Sequence, residues 1–164
     1  MAPKGGRGER PKGLSSYDIS CPSANAFITG LNVRQGTILA KRKVDRDIGD
    51  SKVPIDIIEA IAPVFCSDGG VASTKVPELP SGARRLWWHP KSPTGYKGLK
   101  LRVGDVIDAV SVIEERVVDG YFGGSGGEPD KVECPTGYLM VGLYGEATRD
   151  HIVTLGLRCR KVEG

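Results

Sequence analysis

The dipeptide Gly-Leu recurs three times at the same place in a run of alternating residues, and this repeat limits the fold more than any other feature. The three stretches read ITGLNVRQG (28–36), YKGLKLRVG (96–104) and MVGLYGEAT (140–148). A second set, IEAIAP (58–63), IDAVSV (107–112) and IVTLGL (152–157), shares an isoleucine followed by a variable, a small and an aliphatic residue. A single copy would leave an apolar face in water, so the three copies are expected to pack around a shared axis.

The sequence around these repeats has the pattern of β-strands. LKLRV (99–103) and VTLGLRCR (153–160) alternate apolar with polar or small residues, as half-buried strands do. The one helical candidate, IDIIEAIA (55–62), lies between Pro54 and Pro63 and is short for a stable helix, so we predict loop plus strand there. The predicted fold class is all-β with almost no helix.

Length and charge limit the domain organisation and the partners. The 164 residues suit one domain, placed at 15–164, with units at about 15–70, 71–122 and 123–164. The polar, basic composition of residues 1–14 predicts a flexible tail. This segment carries the whole net charge of +3. Because the remainder is neutral, no nucleic-acid partner is expected, and no apolar run is long enough to predict a membrane span. The stretch 35–59 of the first unit is predicted to be a long, solvated loop.

The four cysteines frame two of the units. Cys21 and Cys66 bracket the first and Cys134 and Cys159 the third, while the second has His89 where a cysteine would fall. The simplest of the three possible pairings joins Cys21 to Cys66 and Cys134 to Cys159. The alternative is four free buried thiols, because no secretion signal is visible. Disulfides would favour an extracellular location, and free thiols would favour a cytoplasmic one. No cysteine or histidine spacing indicates a metal, and no cofactor is expected.

Two glycine-containing motifs follow one another in the second half of the chain. The first is Gly-x-x-x-Asp, with Gly104 and Asp108 as its ends, inside VGDVIDAVSV. The second is the double-glycine loop 123–127, inside YFGGSGGEP. Together with the strand between them, they resemble the jacalin-related lectins over residues 96–160. The cysteine-framed units also resemble the vitelline membrane outer layer protein. These resemblances imply a β-prism, in which three four-stranded Greek-key sheets surround a pseudo-threefold axis.

The resemblance to the lectins implies a carbohydrate site. Asp108 would accept hydrogen bonds from two adjacent hydroxyls of a mannose- or glucose-type sugar, and the N–H groups of Ile107 and Asp108 would donate to other sugar oxygens. A backbone N–H of Gly126 or Gly127 would reach a further hydroxyl, because a residue without Cβ allows close approach. The implied carbohydrate-binding residues are Gly104, Val106, Ile107, Asp108, Tyr121, Gly126 and Gly127.

The other two units depart from this pattern. A degraded second site would combine Glu59, in place of the aspartate, with the turn formed by Asp68, Gly69 and Gly70. The third unit has Val153 at the acidic position. The two motifs of the good site also have plainer interpretations, as an ordinary hairpin turn and a flexible linker. The predicted function is a lectin with one good site, and the alternative is a β-prism that serves as a structural or protein-interaction module.

The aromatic and histidine residues give weaker signals. Trp87 and Trp88 suit a sugar-stacking platform, although such a pair more often seals the end of a β core. His89 and His151 lie far apart with no serine or cysteine arranged as a nucleophile, so no enzyme activity is expected. The expected partners are glycans or glycoproteins, and a homo-oligomer is left open.

Overall fold

The computed structural model describes residues 2–6, 13–45, 49–73, 86–115, 118 and 120–161, and this part of the chain contains strands and turns without a helix. The strands are β1 (Lys4–Gly5), β2 (Ser15–Ser20), β3 (Ile28–Asp45), β4 (Gly49–Cys66), β5 (Val71–Ala72), β6 (Leu86–Trp88), β7 (Gly98–Val103), β8 (Ile107–Ile113), β9 (Phe122–Gly123), β10 (Glu128–Glu133), β11 (Tyr138–Ala147) and β12 (Thr154–Lys161). Within the described ranges, no helix is long and apolar enough to cross a membrane. The predicted all-β class is confirmed.

The strands form three four-stranded sheets. The first sheet has the order β5-β4-β3-β6, the second β10-β7-β8-β9 and the third β1-β12-β11-β2. In the first two sheets the fourth strand in chain order lies beside the first, which is the Greek-key order. The third sheet has the same order when β1 and β2 are counted after β12. Buried side chains of all three sheets contribute to one hydrophobic core. The predicted β-prism is therefore confirmed.

The sequence repeat falls on equivalent positions of the three sheets. The leucine of each Gly-Leu pair is buried and lies opposite an aliphatic residue of the next strand: Leu31 with Val64, Leu99 with Val112, and Leu143 with Leu157. The isoleucines of the second repeat meet at one end of the core, where the Ile107 N–H donates to the Ile152 carbonyl (3.0 Å) and the Ile152 N–H to the Ile58 carbonyl (3.1 Å). The three copies thus surround one axis, as the repeat predicts.

Both predicted disulfides are present, and each joins two different sheets. Cys21 follows β2 of the third sheet and bonds to Cys66, the last residue of β4 in the first sheet. Cys134 follows β10 of the second sheet and bonds to Cys159 in β12 of the third sheet. The pairing is confirmed, and its effect is to cross-link neighbouring sheets.

At the junction of the first and second sheets, aromatic packing takes the place of a disulfide. His89 follows β6 there, at the position that Cys21 and Cys134 occupy after β2 and β10. Trp88 of β6 stacks on Phe122 of β9, with ring centroids 5.8 Å apart. Trp88 is partly buried against the core, which agrees with the sealing role preferred for the tryptophan pair, whereas Trp87 is 45% exposed.

The sheets do not follow the predicted unit boundaries. Strand β2 belongs to the third sheet, β5 and β6 to the first, and β10 to the second. The reason is the Greek-key connection, since the edge strand of each sheet returns from a later or earlier part of the chain than its central hairpin. Sequence repeats mark the central hairpins well and the edge strands poorly.

The basic tail contains a strand, which the sequence did not predict. Lys4 and Gly5 pair with Leu155 and Thr154 at the edge of β12. A Cβ at Gly5 would collide with the Val153 carbonyl, so the close approach requires glycine. Tail residues 7–12 lie outside the described part of the chain.

The predicted loop at 35–59 is also wrong, because β3 and β4 continue through most of it. The two strands pair from Ile28 with Cys66 to Asp45 with Gly49, whereas β6 pairs with β3 only at residues 33–35. Residues 36–45 and 49–57 therefore form a two-stranded extension, here called the ribbon. Its β-branched residues favour this extended conformation.

Candidate functional site

The candidate site begins at a β-bulge that contains Asp108. Arg102 pairs with Ala109, and the next residue, Val103, pairs with Ile107, so Asp108 is the extra residue of β8. A bulge of this kind redirects a side chain relative to the regular alternation of the strand. The turn that precedes it is closed by the Gly104 N–H, which donates to the Val106 carbonyl at 3.0 Å. The Gly-x-x-x-Asp motif is thus a turn followed by a bulge.

The glycine loop 123–127 lies directly against the Asp108 side chain. The Gly124 N–H donates to the Asp108 carbonyl at 2.8 Å. A Cβ at Gly126 would lie 2.9 Å from Asp108 Oδ1, and one at Gly127 would lie 2.6 Å from Asp108 Oδ2. Gly127 also has a φ of +71°, which disfavours other residues. The absence of side chains at these two positions lets the backbone approach the carboxylate.

Asp108 is a largely buried residue whose carboxylate has few compensating contacts. The residue is only 4% exposed, and no donor among the described residues hydrogen-bonds to its carboxylate. Burial raises the pKa of Asp108 to about 6; the Arg102 guanidinium opposes this rise in pKa and the nearby Asp105 carboxylate adds to it. A buried acceptor that lacks donors costs free energy unless a ligand supplies them.

Arg102 positions the glycine loop. Its Nε donates to the Gly126 carbonyl at 2.9 Å, and its Nη2 donates to the Gly127 carbonyl at 2.8 Å. Since the N–H and C=O of a trans peptide point in opposite directions, holding the Gly126 carbonyl turns the Gly127 N–H away from Arg102. This role was not predicted from the sequence. The repeat held a signal for it, because Arg34 and Arg102 occupy the same column of the aligned Gly-Leu stretches.

The remaining predicted residues differ in exposure and in their relation to Asp108. Tyr121 is 39% exposed and lies beside the cations of β7, with Lys100 Nζ 4.9 Å and Arg102 Cζ 5.9 Å from its ring centroid. A Cβ at Gly104 would lie 3.7 Å from Asp108 Oδ2, so this residue belongs to the site. Val106 is buried and shapes the turn.

The role expected of the Ile107 N–H is contradicted by the structure. This group already donates to the Ile152 carbonyl and links the second and third sheets. A backbone N–H that is engaged in this way is not available to a sugar oxygen. The N–H of Asp108 keeps its predicted role as an expectation.

Glu59 occupies the position in the first sheet that Asp108 occupies in the second. Arg34 pairs with Ala60 and Gln35 with Ile58, so Glu59 is the extra residue of an equivalent bulge. Its carboxylate forms an ion pair with Arg34 (Oε1 to Nη2, 2.9 Å), and both side chains are buried. The Trp87 ring covers Arg34, with the guanidinium 5.5 Å from the ring centroid. The equivalent position is therefore filled by a buried ion pair.

The structure does not bring Glu59 together with Asp68, Gly69 and Gly70. These three form a turn beyond the end of β4, in which the Gly70 N–H donates to Asp68 Oδ1 at 2.9 Å. Glu59 lies seven residues before the end of that strand, which corresponds to roughly 20 Å at the usual rise per residue. The counterpart of the glycine loop would come just before β6, outside the described residues. The predicted composition of the second site is wrong.

The third sheet offers no acidic group at the equivalent position. Val153 is buried, and its N–H donates to the Glu146 carbonyl at 3.0 Å. The described residues also include no group of three His, Cys, Asp or Glu side chains that is arranged to hold a metal ion.

Two solved structures similar to this chain carry the names of a lectin and an agglutinin. A prostate-specific WGA16 glycoprotein lectin has a TM-score of 0.64 and 17% sequence identity, with 96% of this chain and 99% of that chain covered. Calystegia sepium agglutinin has a TM-score of 0.56 and 14% identity, with 98% and 96% covered. No protein-family model matches the sequence, and no curated protein matches it. At these identities the likeness is one of fold, and it agrees with the three-sheet prism.

Proposed function

We propose that this protein is a lectin that binds mannose- or glucose-type glycans through one site, formed by residues 104–108 and 123–127. The observation that carries the proposal is the carboxylate of the largely buried residue Asp108, which lies against bare glycine backbone and receives no hydrogen bond within the described chain. Sugar hydroxyls are donors of the right kind and spacing to satisfy it, because the two carboxylate oxygens can accept from two adjacent hydroxyls.

Binding would use the groups that the bulge and the loop hold in place. Two neighbouring hydroxyls would donate to Oδ1 and Oδ2 of Asp108 in charge-assisted hydrogen bonds. The Gly127 N–H, oriented by Arg102, would donate to a third sugar oxygen, and the Asp108 N–H to a fourth. The exposed Tyr121 ring would pack on an apolar C–H face of the sugar. The filled position at Glu59 and the apolar one at Val153 leave one site per chain.

We also propose that the protein binds glycans without cleaving them. Glycosidases use a pair of carboxyl groups that flank the scissile bond, one of them protonated. Asp108 is the one buried carboxylate that the described residues place at the glycine loop, and its neighbour Asp105 is exposed and precedes it on the turn. The two disulfides favour an extracellular location, where glycans and glycoproteins are displayed.

A glycan array tests the proposal. Wild-type protein should bind mannose- or glucose-terminated glycans, and Asp108→Asn should lower that binding about ten- to hundredfold, since it removes the charge and one acceptor while keeping the shape. Glu115→Gln, an exposed carboxylate-to-amide change beyond the far end of β8, is the matched control and should bind like wild type. If wild type ignores all such glycans, or Asp108→Asn binds equally well, the protein is a β-prism interaction module instead.

A further inference from the structure

A depression lies beside the glycine loop, at the base of the ribbon. Its volume is about 210 Å³, and it is lined by Gln35, Thr37, Asp56 and Leu86. Thr37 and Asp56 face each other across β3 and β4, and Leu86 is the first residue of β6. None of these residues takes part in the site around Asp108.

One residue, Gly124, joins this depression to the site. Its N–H donates to the Asp108 carbonyl at 2.8 Å, and its Cα faces the Asp56 carbonyl so closely that a Cβ would not fit between them. The backbones of Asp108 and Asp56 therefore flank the same glycine. One glycine of the loop thus separates the Asp108 site from the base of the ribbon.

We propose that the depression at Gln35, Thr37, Asp56 and Leu86 is a second subsite, which binds the neighbouring sugar of an oligosaccharide whose terminal sugar occupies the Asp108 site. This inference rests on the proposed lectin function and deepens it. The preferred ligand is then an oligosaccharide of neutral hexoses rather than a monosaccharide.

The chemistry of the lining suits a sugar ring. Thr37 Oγ1 donates to Asp56 Oδ1 at 3.2 Å, which holds the carboxylate in place while leaving it capacity to accept from sugar hydroxyls. The Gln35 amide offers both donors and an acceptor. Leu86 is 44% exposed and presents the apolar surface that the C–H side of a pyranose needs. A polar set with one apolar contact distinguishes this depression from a plain solvated surface.

The subsite would raise affinity for longer ligands at low entropic cost. A monosaccharide buries little area and binds weakly, because association itself costs free energy. A second linked sugar adds hydrogen bonds to Asp56 and Thr37 without a second association cost. The ribbon, which the lectin motifs do not include, thereby contributes to specificity.

The test compares a monosaccharide with an oligosaccharide on the same variants. Kd values for methyl α-mannoside and a mannotriose, and in a second arm for glucose and maltotriose, are measured by NMR titration. Wild type should prefer one trisaccharide over its monosaccharide. Asp56→Asn should reduce that preference about tenfold, Thr37→Val should reduce it in the same direction, and neither should change monosaccharide binding. Glu115→Gln is the matched control, and thermal melts verify that each variant is folded.

The outcomes separate this inference from the proposed function. If wild type binds the sugars, Asp108→Asn weakens binding about ten- to hundredfold as expected, and both ribbon variants keep the full trisaccharide preference, the subsite is refuted while the lectin function stands. The same holds if wild type binds both ligands of each pair equally. If wild type binds none of the sugars, the lectin function fails and the subsite fails with it.

Discussion

Replacing Asp108 by asparagine should stabilise the protein at neutral pH while lowering glycan binding about ten- to hundredfold. The folded-state pKa of Asp108, about 6, lies above its ordinary value of 3.8, so the folded protein binds this proton more tightly than the unfolded chain. Wild type therefore loses stability as pH rises from about 4 through about 6. The full loss corresponds to about 3 kcal/mol in the free energy of unfolding, by the usual conversion of a pKa difference.

The expected gain for Asp108→Asn is smaller than the full electrostatic penalty, because the new amide is itself buried beneath Gly126 and Gly127. A net gain of about 1–2 kcal/mol at pH 7.5 would raise Tm by about 2–8 °C for a chain of this size, with little gain at pH 4. Calorimetry of both proteins at the two pH values measures this difference. An equal or lower Tm for Asp108→Asn at pH 7.5 would refute the view that the Asp108 carboxylate lowers the stability of the fold and is kept for ligand binding.

Three further changes have distinct expected effects. Glu59→Gln removes the carboxylate that pairs with buried Arg34, so the free energy of unfolding in urea titrations should fall by about 3 kcal/mol while glycan binding stays intact. Unchanged stability would contradict the interpretation that a buried ion pair fills this position. Arg102→Gln releases the carbonyls of the glycine loop, so glycan affinity should fall about tenfold and the pKa of Asp108 should rise further, whereas wild-type affinity would show that the loop needs no such support. Deleting residues 1–6 removes the pairing of β1 with β12 and should lower Tm by a few °C in thermal melts, and an unchanged Tm would mean that β1 adds no stability.

Much of the fold could be predicted because the central hairpin of each sheet repeats in the sequence. The buried leucines Leu31, Leu99 and Leu143 and the joined isoleucines Ile58, Ile107 and Ile152 are the residues that the repeat aligned. Burial on one face imposes a period of two on each hairpin, so the pattern survives in the sequence. Edge strands such as β1 and β5 have two residues each, which is too short to carry any period.

The site was predictable where two motifs together resemble a known family and unpredictable where it depends on strand register. Asp108 and the glycine loop lie 15–19 residues apart in sequence but close in space. Asp68 lies only nine residues after Glu59, yet the two occupy different places along and beyond β4, because an extended strand separates residues quickly. The placement of the Asp108 side chain depends on a bulge that changes which residues face each other across β7 and β8, and a bulge has no clear sequence signature.

A pH titration of the Asp108 carboxyl carbon by NMR measures whether this carboxylate accepts hydrogen bonds from a sugar, with and without methyl α-mannoside or, in a second sample, methyl α-glucoside. Without sugar, the pKa should be about 6, since burial favours the protonated form. With saturating sugar, hydroxyl donors should stabilise the carboxylate and lower the pKa of Asp108 by one or more units, by roughly the amount that a charged hydrogen bond contributes. A free-protein pKa near 4, or a midpoint that neither sugar moves, would contradict the account that Asp108 is a buried acceptor awaiting sugar hydroxyls.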